Sequence, residues 1–148
     1  MAIQFDEEVW VVALGDEPIA KGSSTRFVDM PDKHNVYIFP TRYNPRRTVF
    51  IAFRYHGQLH AVHKILRRNE KPEINYNQVI PGLNAPTRQK CTAYHLGPAI
   101  PLQNRPRTGK RLPWNTQAYC DLDLLLTSKT ISDAKRLTDE RKAKQPLG

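Results

Sequence analysis

Three clusters of arginine and lysine, each with an aromatic residue nearby, are the groups in this chain best equipped for chemistry. Arg42, Arg46 and Arg47 surround Tyr43 in Thr-Arg-Tyr-Asn-Pro-Arg-Arg, Lys64, Arg67, Arg68 and Lys71 precede Tyr76, and Arg105, Arg107, Lys110 and Arg111 run up to Trp114. Cationic side chains set on phosphates release condensed counterions, and aromatic faces stack on unpaired bases. The pattern points to RNA or DNA, held through backbone and bases together. The expected nucleic-acid-binding residues are Arg42, Tyr43, Arg46, Arg47, Lys64, Arg67, Arg68, Arg105, Arg107, Lys110, Arg111 and Trp114. Trp114 is the expected stacking ring, because it lies between Pro113 and Asn115 outside any regular strand pattern, whereas Trp10 sits in an apolar run and reads as core.

The charge is concentrated rather than spread. Residues 33–111 hold 15 Lys or Arg against two acids, Glu70 and Glu73, while the first 32 residues hold two basic and seven acidic side chains. The overall +9 therefore belongs to the middle of the chain, and a blocked field of this kind is the footprint of a polyanion partner. A solvated basic surface with no dedicated partner is the plain alternative. The shortage of acids also argues against carboxylate chemistry in that region.

Other chemistries find less support. His56, His60 and His63 would gather on one side of a helix, but on a strand His60 and His63 point to opposite faces, so no metal site is expected. A magnesium-dependent nuclease needs clustered carboxylates. Pro31-Asp32 and Glu140-Arg141-Lys142 resemble the two halves of a nuclease signature, yet they stand over a hundred residues apart and the second falls on a polar terminal helix. Asp121 and Asp123 alternate onto one face of an expected strand, and two acids alone do not make a site. There is no Gly-rich phosphate loop and no nucleophile motif. Cys91 and Cys120 belong to no C-x-x-C pair and read as reduced thiols. No cofactor and no catalytic residue is expected.

The elements that must position these residues can be read from periodicity. At 148 residues, with 39% hydrophobic content and 12 prolines, the chain suits one loop-rich or β-rich domain over 1–148. Val9 to Leu14 is an apolar, β-branched run, and Val36 to Phe39 is a second strand closed by Pro40. Between them, Glu17 to Lys33 reads as loop with one short helix. Thr48 to Tyr55 and Gln58 to Leu66 form a hairpin around His56-Gly57, where Gly57 supplies the freedom a tight reversal needs. Arg67 to Gln89 is a long polar excursion. Lys90 to Leu96 is a strand stopped by Gly97-Pro98, Ile100 to Leu102 a short edge extension, and Gln103 to Pro113 a basic loop. Gln117 to Leu126 alternates as a strand, and Thr130 with Asp133 begins a terminal helix with Ile131, Ala134 and Leu137 on its apolar stripe. The first residues lack the pattern of a secretory signal, and Val9 to Leu14 falls far short of the ~20 residues that span a bilayer. A cytoplasmic protein with no membrane partner is expected.

The order of these segments resembles the PUA-like superfamily, in particular its ASCH and EVE branches. The resembling stretch runs from about Thr48 to Leu102 and carries Thr48-Val-Phe-Ile-Ala-Phe-Arg-Tyr55, Leu59-His-Ala-Val-His-Lys-Ile65 and Tyr94-His-Leu-Gly-Pro-Ala-Ile-Pro-Leu102, with Val9 to Leu14 as opening strand. The resemblance implies an α+β fold built on a small, mostly antiparallel β-barrel with a C-terminal helix, and a cleft for RNA or modified DNA bases. The basic loop from Gln103 to Pro113 has no counterpart in that pattern. A binding module for RNA or for single-stranded or modified DNA is thus the leading expectation. A small metal-independent ribonuclease, drawing acid and base from Tyr55, His56, His60, His63, Tyr94 and His95, and a structural ribonucleoprotein component are the rivals.

Overall fold

The computed structural model describes residues 7–19, 24–71, 91–109 and 118–144, with backbone only for Glu70 and Lys71. Six strands form one sheet in the order β2-β5-β4-β3-β1-β6. They are β1 (Glu8–Ala13), β2 (Val36–Pro40), β3 (Phe50–Tyr55), β4 (Gln58–Lys71), β5 (Cys91–Ala99) and β6 (Ala118–Asp121). The helices are α1 (Asp29–His34), α2 (Leu122–Thr127) and α3 (Ile131–Lys144), and a 3-10 turn covers Thr41–Tyr43. The fold is α+β with a mostly antiparallel sheet and a C-terminal helix. Among the described residues the sheet is open, with β2 and β6 at its edges, where a closed barrel was expected. No helix among them is long and apolar enough to cross a membrane.

The chain divides into two compact units. The first takes residues 1–13, 46–63 and 99–148. Its β1 lies parallel to β3, Val9 opposite Phe50 and Val11 opposite Ala52, and antiparallel to β6. Val9, Val11, Phe50, Ala52, Leu59 and Val62 share one core with Leu122, Leu125, Ile131 and Ala134 from α2 and α3. Each of the larger side chains among them contributes roughly 1.5–3 kcal/mol by leaving water. The reversal between β3 and β4 has both central residues at positive φ, His56 at 51° and Gly57 at 78°, as the right-handed twist of a two-residue hairpin demands.

The start of α3 is closed in two ways. Thr130 Oγ1 accepts a bond from the Asp133 amide at 3.0 Å, the expected cap. The amides of Ile131 and Ser132 donate to the carbonyls of Arg107 and Thr108, so two donors that a helix start leaves open are met by the basic loop. The same loop is pinned to the hairpin, since Leu59 donates to Pro106 and Thr108 to Gly57.

The second unit takes residues 14–45 and 64–98. Within it β2 and β5 pair antiparallel from Val36 with His95 to Pro40 with Cys91. Asn35, at φ 52°, caps α1, and its carbonyl accepts the Leu96 amide at 2.8 Å. Ile65, Leu96, Val36, Ile38, Val28 and Met30 are buried here.

Four expected elements differ. β4 continues to Lys71 instead of ending near Leu66. β5 runs through Gly97-Pro98 to Ala99, because β2 stops pairing at His95 and leaves one side of the strand where a proline lacking N–H costs no ladder bond; Ile100 to Leu102 then forms no strand. The expected strand from Gln117 to Leu126 is β6 followed by α2. Its leucines satisfy both periods, and Leu122 and Leu125 bury on one helical side.

The two positive-φ glycines separate backbone strain from collision. Gly57→Ala meets nothing within 4 Å and should cost about 1–2 kcal/mol from the left-handed backbone alone. Gly109, at φ 85°, would place a Cβ 2.8 Å from Ser132 Oγ and 2.9 Å from Thr130 Cβ, so Gly109→Ala should cost clearly more. Urea unfolding of both variants checks the order, and equal losses would show that the loop gives way.

Candidate functional site

Alternation along β2 and β5 gathers rings on one face of the second unit. Tyr37 stands opposite Tyr94 and Phe39 opposite Thr92. Tyr37 and Phe39 stack with centroids 5.4 Å apart, and Tyr94 meets Phe39 edge-on at 4.9 Å. Pro40 ends the strand, and the turn Thr41–Tyr43 carries Tyr43 back over Phe39, near-parallel at 6.2 Å. Tyr43 keeps 38% of its surface exposed, whereas Phe39 and Tyr94 are buried. The result is one accessible ring braced by buried ones. Burial, with Tyr43 nearby, pushes the Tyr37 phenol well above its ordinary range, so it stays neutral.

Two of the expected cations join this platform. The guanidinium of Arg42 lies 5.7 Å from the centre of the Tyr43 ring, and that of Arg68 5.4 Å from the centre of Tyr94. Beside Arg68 opens a cleft of about 170 Å³ lined by Phe39, Thr41, Asn44, Pro45, Arg68, Thr92 and Tyr94. The Thr41 and Thr92 hydroxyls share a hydrogen bond at 3.0 Å. No carboxylate lines the cleft among the described residues. Lys64 is exposed on β4. Arg67 takes a different role: its Nη2 and Asn69 Nδ2 lie 3.4 and 3.3 Å from His95 Nε2. A guanidinium can only donate, so that ring nitrogen accepts.

Other expected residues belong to the first unit. Arg46 binds Glu8 at 3.1 Å, stacks 4.4 Å from the Tyr119 ring centre, and its amide donates to the Tyr119 hydroxyl. Arg47 is exposed. Arg105 donates to the Leu59 and His60 carbonyls, and Arg107 is exposed on the pinned loop. The described part of this loop is bonded through its backbone to the hairpin and to the start of α3. Lys110, Arg111 and Trp114, with Tyr76, lie outside the described residues.

The histidines separate as strand alternation requires. His56 stacks on Tyr55 at 3.9 Å and His60 meets the same ring at 5.3 Å, while His63 is 2% exposed and packs on Phe53. Asp121 and Asp123, expected on one strand, sit at the end of β6 and the start of α2, and Arg141 holds both, at 2.9 Å from Asp121 and 2.9 and 3.0 Å from Asp123. Burial raises the Asp121 carboxyl above its ordinary range, and the Arg141 hydrogen bonds hold Asp123 below it. This cluster ties α3 to the sheet. Both cysteines are buried thiols outside any disulfide, and burial pushes the Cys120 thiol up to about 12.

Sequence reasoning missed Phe39, Thr41, Asn44, Pro45 and Thr92, and treated Tyr94 only as a possible acid or base. The available signal was the period-two placement of Tyr37 and Phe39 on one short strand and Thr92 and Tyr94 on another. No family model, curated protein or solved structure matches this chain.

Arg141→Gln should lower the melting temperature at neutral pH. Asp123, with its carboxyl held low, contributes stability that is present above the unfolded carboxylate range near pH ~4 and is lost as pH falls through its folded value. The gap between variant and wild type should therefore narrow as pH falls below ~4 and towards the folded value of Asp123. A gap that stays constant with pH would assign the loss to packing.

Proposed function

We propose that the chain is a nucleic-acid-binding module that takes an unpaired stretch of RNA or DNA. The base stacks on Tyr43, and Arg42, Lys64 and Arg68 meet its phosphates. The observation that carries this reading is the exposed Tyr43 ring, braced from behind by Phe39 and close to the Arg42 guanidinium, beside a cleft that no acid lines among the described residues. An aromatic cage for a methylated ammonium would place carboxylates or neutral groups there; the surrounding cations favour an anion. The PUA-like relationship implied over residues 48–102 belongs to this reading, as does a cytoplasmic location, and the former is supported by β3, β4 and β5 lying within that stretch.

Tyr43→Ala should weaken single-stranded oligonucleotide binding by about 1–3 kcal/mol, while Tyr43→Phe keeps it. If roughly four to six phosphates are neutralised, log K should fall with log salt at a slope of about −3 to −5. Fluorescence anisotropy at several salt concentrations measures both. Binding that ignores salt and Tyr43 alike would remove the proposal.

A second reading follows from the hairpin, where two imidazoles flank the Tyr55 ring. In RNA cleavage one would take the proton of the 2′-hydroxyl as its oxygen bonds to phosphorus, and the other would protonate the departing 5′-oxygen. Labelled RNA incubated in EDTA tests this. Cleavage lost in His56→Ala and His60→Ala supports it, and intact RNA at long times excludes it.

A further inference from the structure

We infer that the first unit carries a second nucleic-acid contact, a cationic surface of the hairpin turn, the Arg105 loop and the residues before α3 that takes backbone phosphates whatever the base. This rests on the nucleic-acid reading above and adds a surface that shares no residue with the Tyr43 site. Three short stretches of backbone lie side by side there. Arg107 bridges to Gln58 on one side and to Thr130 on the other. Its amide donates to the Lys129 carbonyl at 3.0 Å, and its own carbonyl accepts the Ile131 amide at 2.7 Å. On the hairpin side the Leu59 amide donates to Pro106 and the Thr108 amide to Gly57, both at 2.8 Å. Residues paired across a bridge set their side chains to the same side. Leu59, Pro106 and Ile131 are accordingly buried, while Gln58 and Arg107 are exposed.

The charge on this frame is one-sided. Arg105 and Lys129 are exposed beside Arg107 in the same stretches. Arg105 is held by neutral groups, the carbonyls of Leu59 and His60, so its charge stays uncompensated, and a guanidinium has five N–H donors, enough to serve a ligand as well. Among the described residues Arg105, Arg107 and Lys129 have no carboxylate partner. Residues 54–60, 99–109 and 128–132 contain no Asp or Glu, and Asp133, next along α3, is bound to Arg136 at 3.7 Å. Cations crowded without a counter-charge repel one another, and a polyanion relieves that repulsion. Because the backbone under Arg107 is already bonded on both sides, little order has to be created on binding. The hairpin's own ring, Tyr55, is faced by His56 at 3.9 Å and met by His60 at 5.3 Å. The surface therefore offers charge rather than an open tyrosine face, and phosphate contacts of that kind position a strand without reading its sequence.

Fluorescence anisotropy over a range of salt tests the inference, with an oligothymidylate and a mixed-sequence single strand of equal length as probes. Arg107→Gln with Lys129→Gln should weaken both strands by the same factor. The slope of log K against log salt should become shallower by about 1.4–2, close to one phosphate contact per cation removed. Arg105 stays in place because it also braces the hairpin. Lys142→Gln with Lys144→Gln removes the same charge about 16–20 Å along α3 from its first residue, beyond the screening length at physiological salt, and should leave the slope unchanged. Arg107→Lys should keep it too. Melting curves confirm folding, and Lys129→Gln alone, with a slope shallower by about 0.7–1, replaces the double variant if that unfolds. An unchanged slope in the folded variant, with Tyr43→Ala still weakening binding, overturns the second contact and leaves the Tyr43 site standing. An equal loss in the Lys142 and Lys144 control assigns the effect to net charge and overturns it as well. Loss for one strand alone would replace backbone contact with base reading. Wild-type protein that binds neither strand overturns both readings, and its sedimentation with phosphatidylserine vesicles would then give the surface to a membrane.

Discussion

The register of β2 against β5 governs which way the rings of the proposed site face. Side chains alternate along a strand, so pairing Tyr37 with Tyr94 and Phe39 with Thr92 turns all four to one side and buries Ile38 and Ala93 on the other. A slip of one residue would exchange the two sets. The pairing is fixed at both ends. Asn35 leaves α1 in the left-handed conformation and its carbonyl takes the Leu96 amide, and Pro40, lacking an N–H, ends the strand. The chain then closes one tight turn, finished by Asn44 at φ 43°, and Tyr43 is delivered onto Phe39.

Electrostatics separates structural cations from those open to a ligand. Arg46 and Lys142 both reach Glu8, Arg141 holds two aspartates, and Arg26 binds Asp16 and Asp29. Hydrogen bonds from Arg26 also hold the Asp29 carboxyl below its ordinary range. Arg42, Arg47, Lys64 and Arg67 have no carboxylate partner among the described residues. Acids are concentrated at the two ends of the chain, so the cations of the middle block have few intramolecular partners to choose from.

Much of this was legible in the sequence, and the gaps have physical causes. The β3–β4 hairpin, the α3 cap at Thr130 and the strands β1 and β2 follow from turn chemistry and short-range periodicity. Arg42, Tyr43 and Arg68 could be named from residue type and local charge. The cleft could not, because Thr41, Thr92 and Phe39 meet only through pairing of strands some fifty residues apart, and no local pattern states which strands pair. The leucine run after Asp121 fits period two and period 3.6 equally; packing against α3 decided it. The backbone bonds that tie the Arg105 loop to Leu59 and Ile131 could not be read either, because they leave no trace in composition.

The account turns on whether a base meets Tyr43. Aromatic proton and carbon resonances of a 13C-labelled sample, followed through titration with a single-stranded oligonucleotide, report this directly. Stacking predicts large upfield ring-current shifts for Tyr43, smaller changes for Phe39 and Tyr94 behind it, and little change for Phe53 or Tyr55 on the hairpin. A saturated complex in which the Tyr43 resonances stay in place would contradict the account.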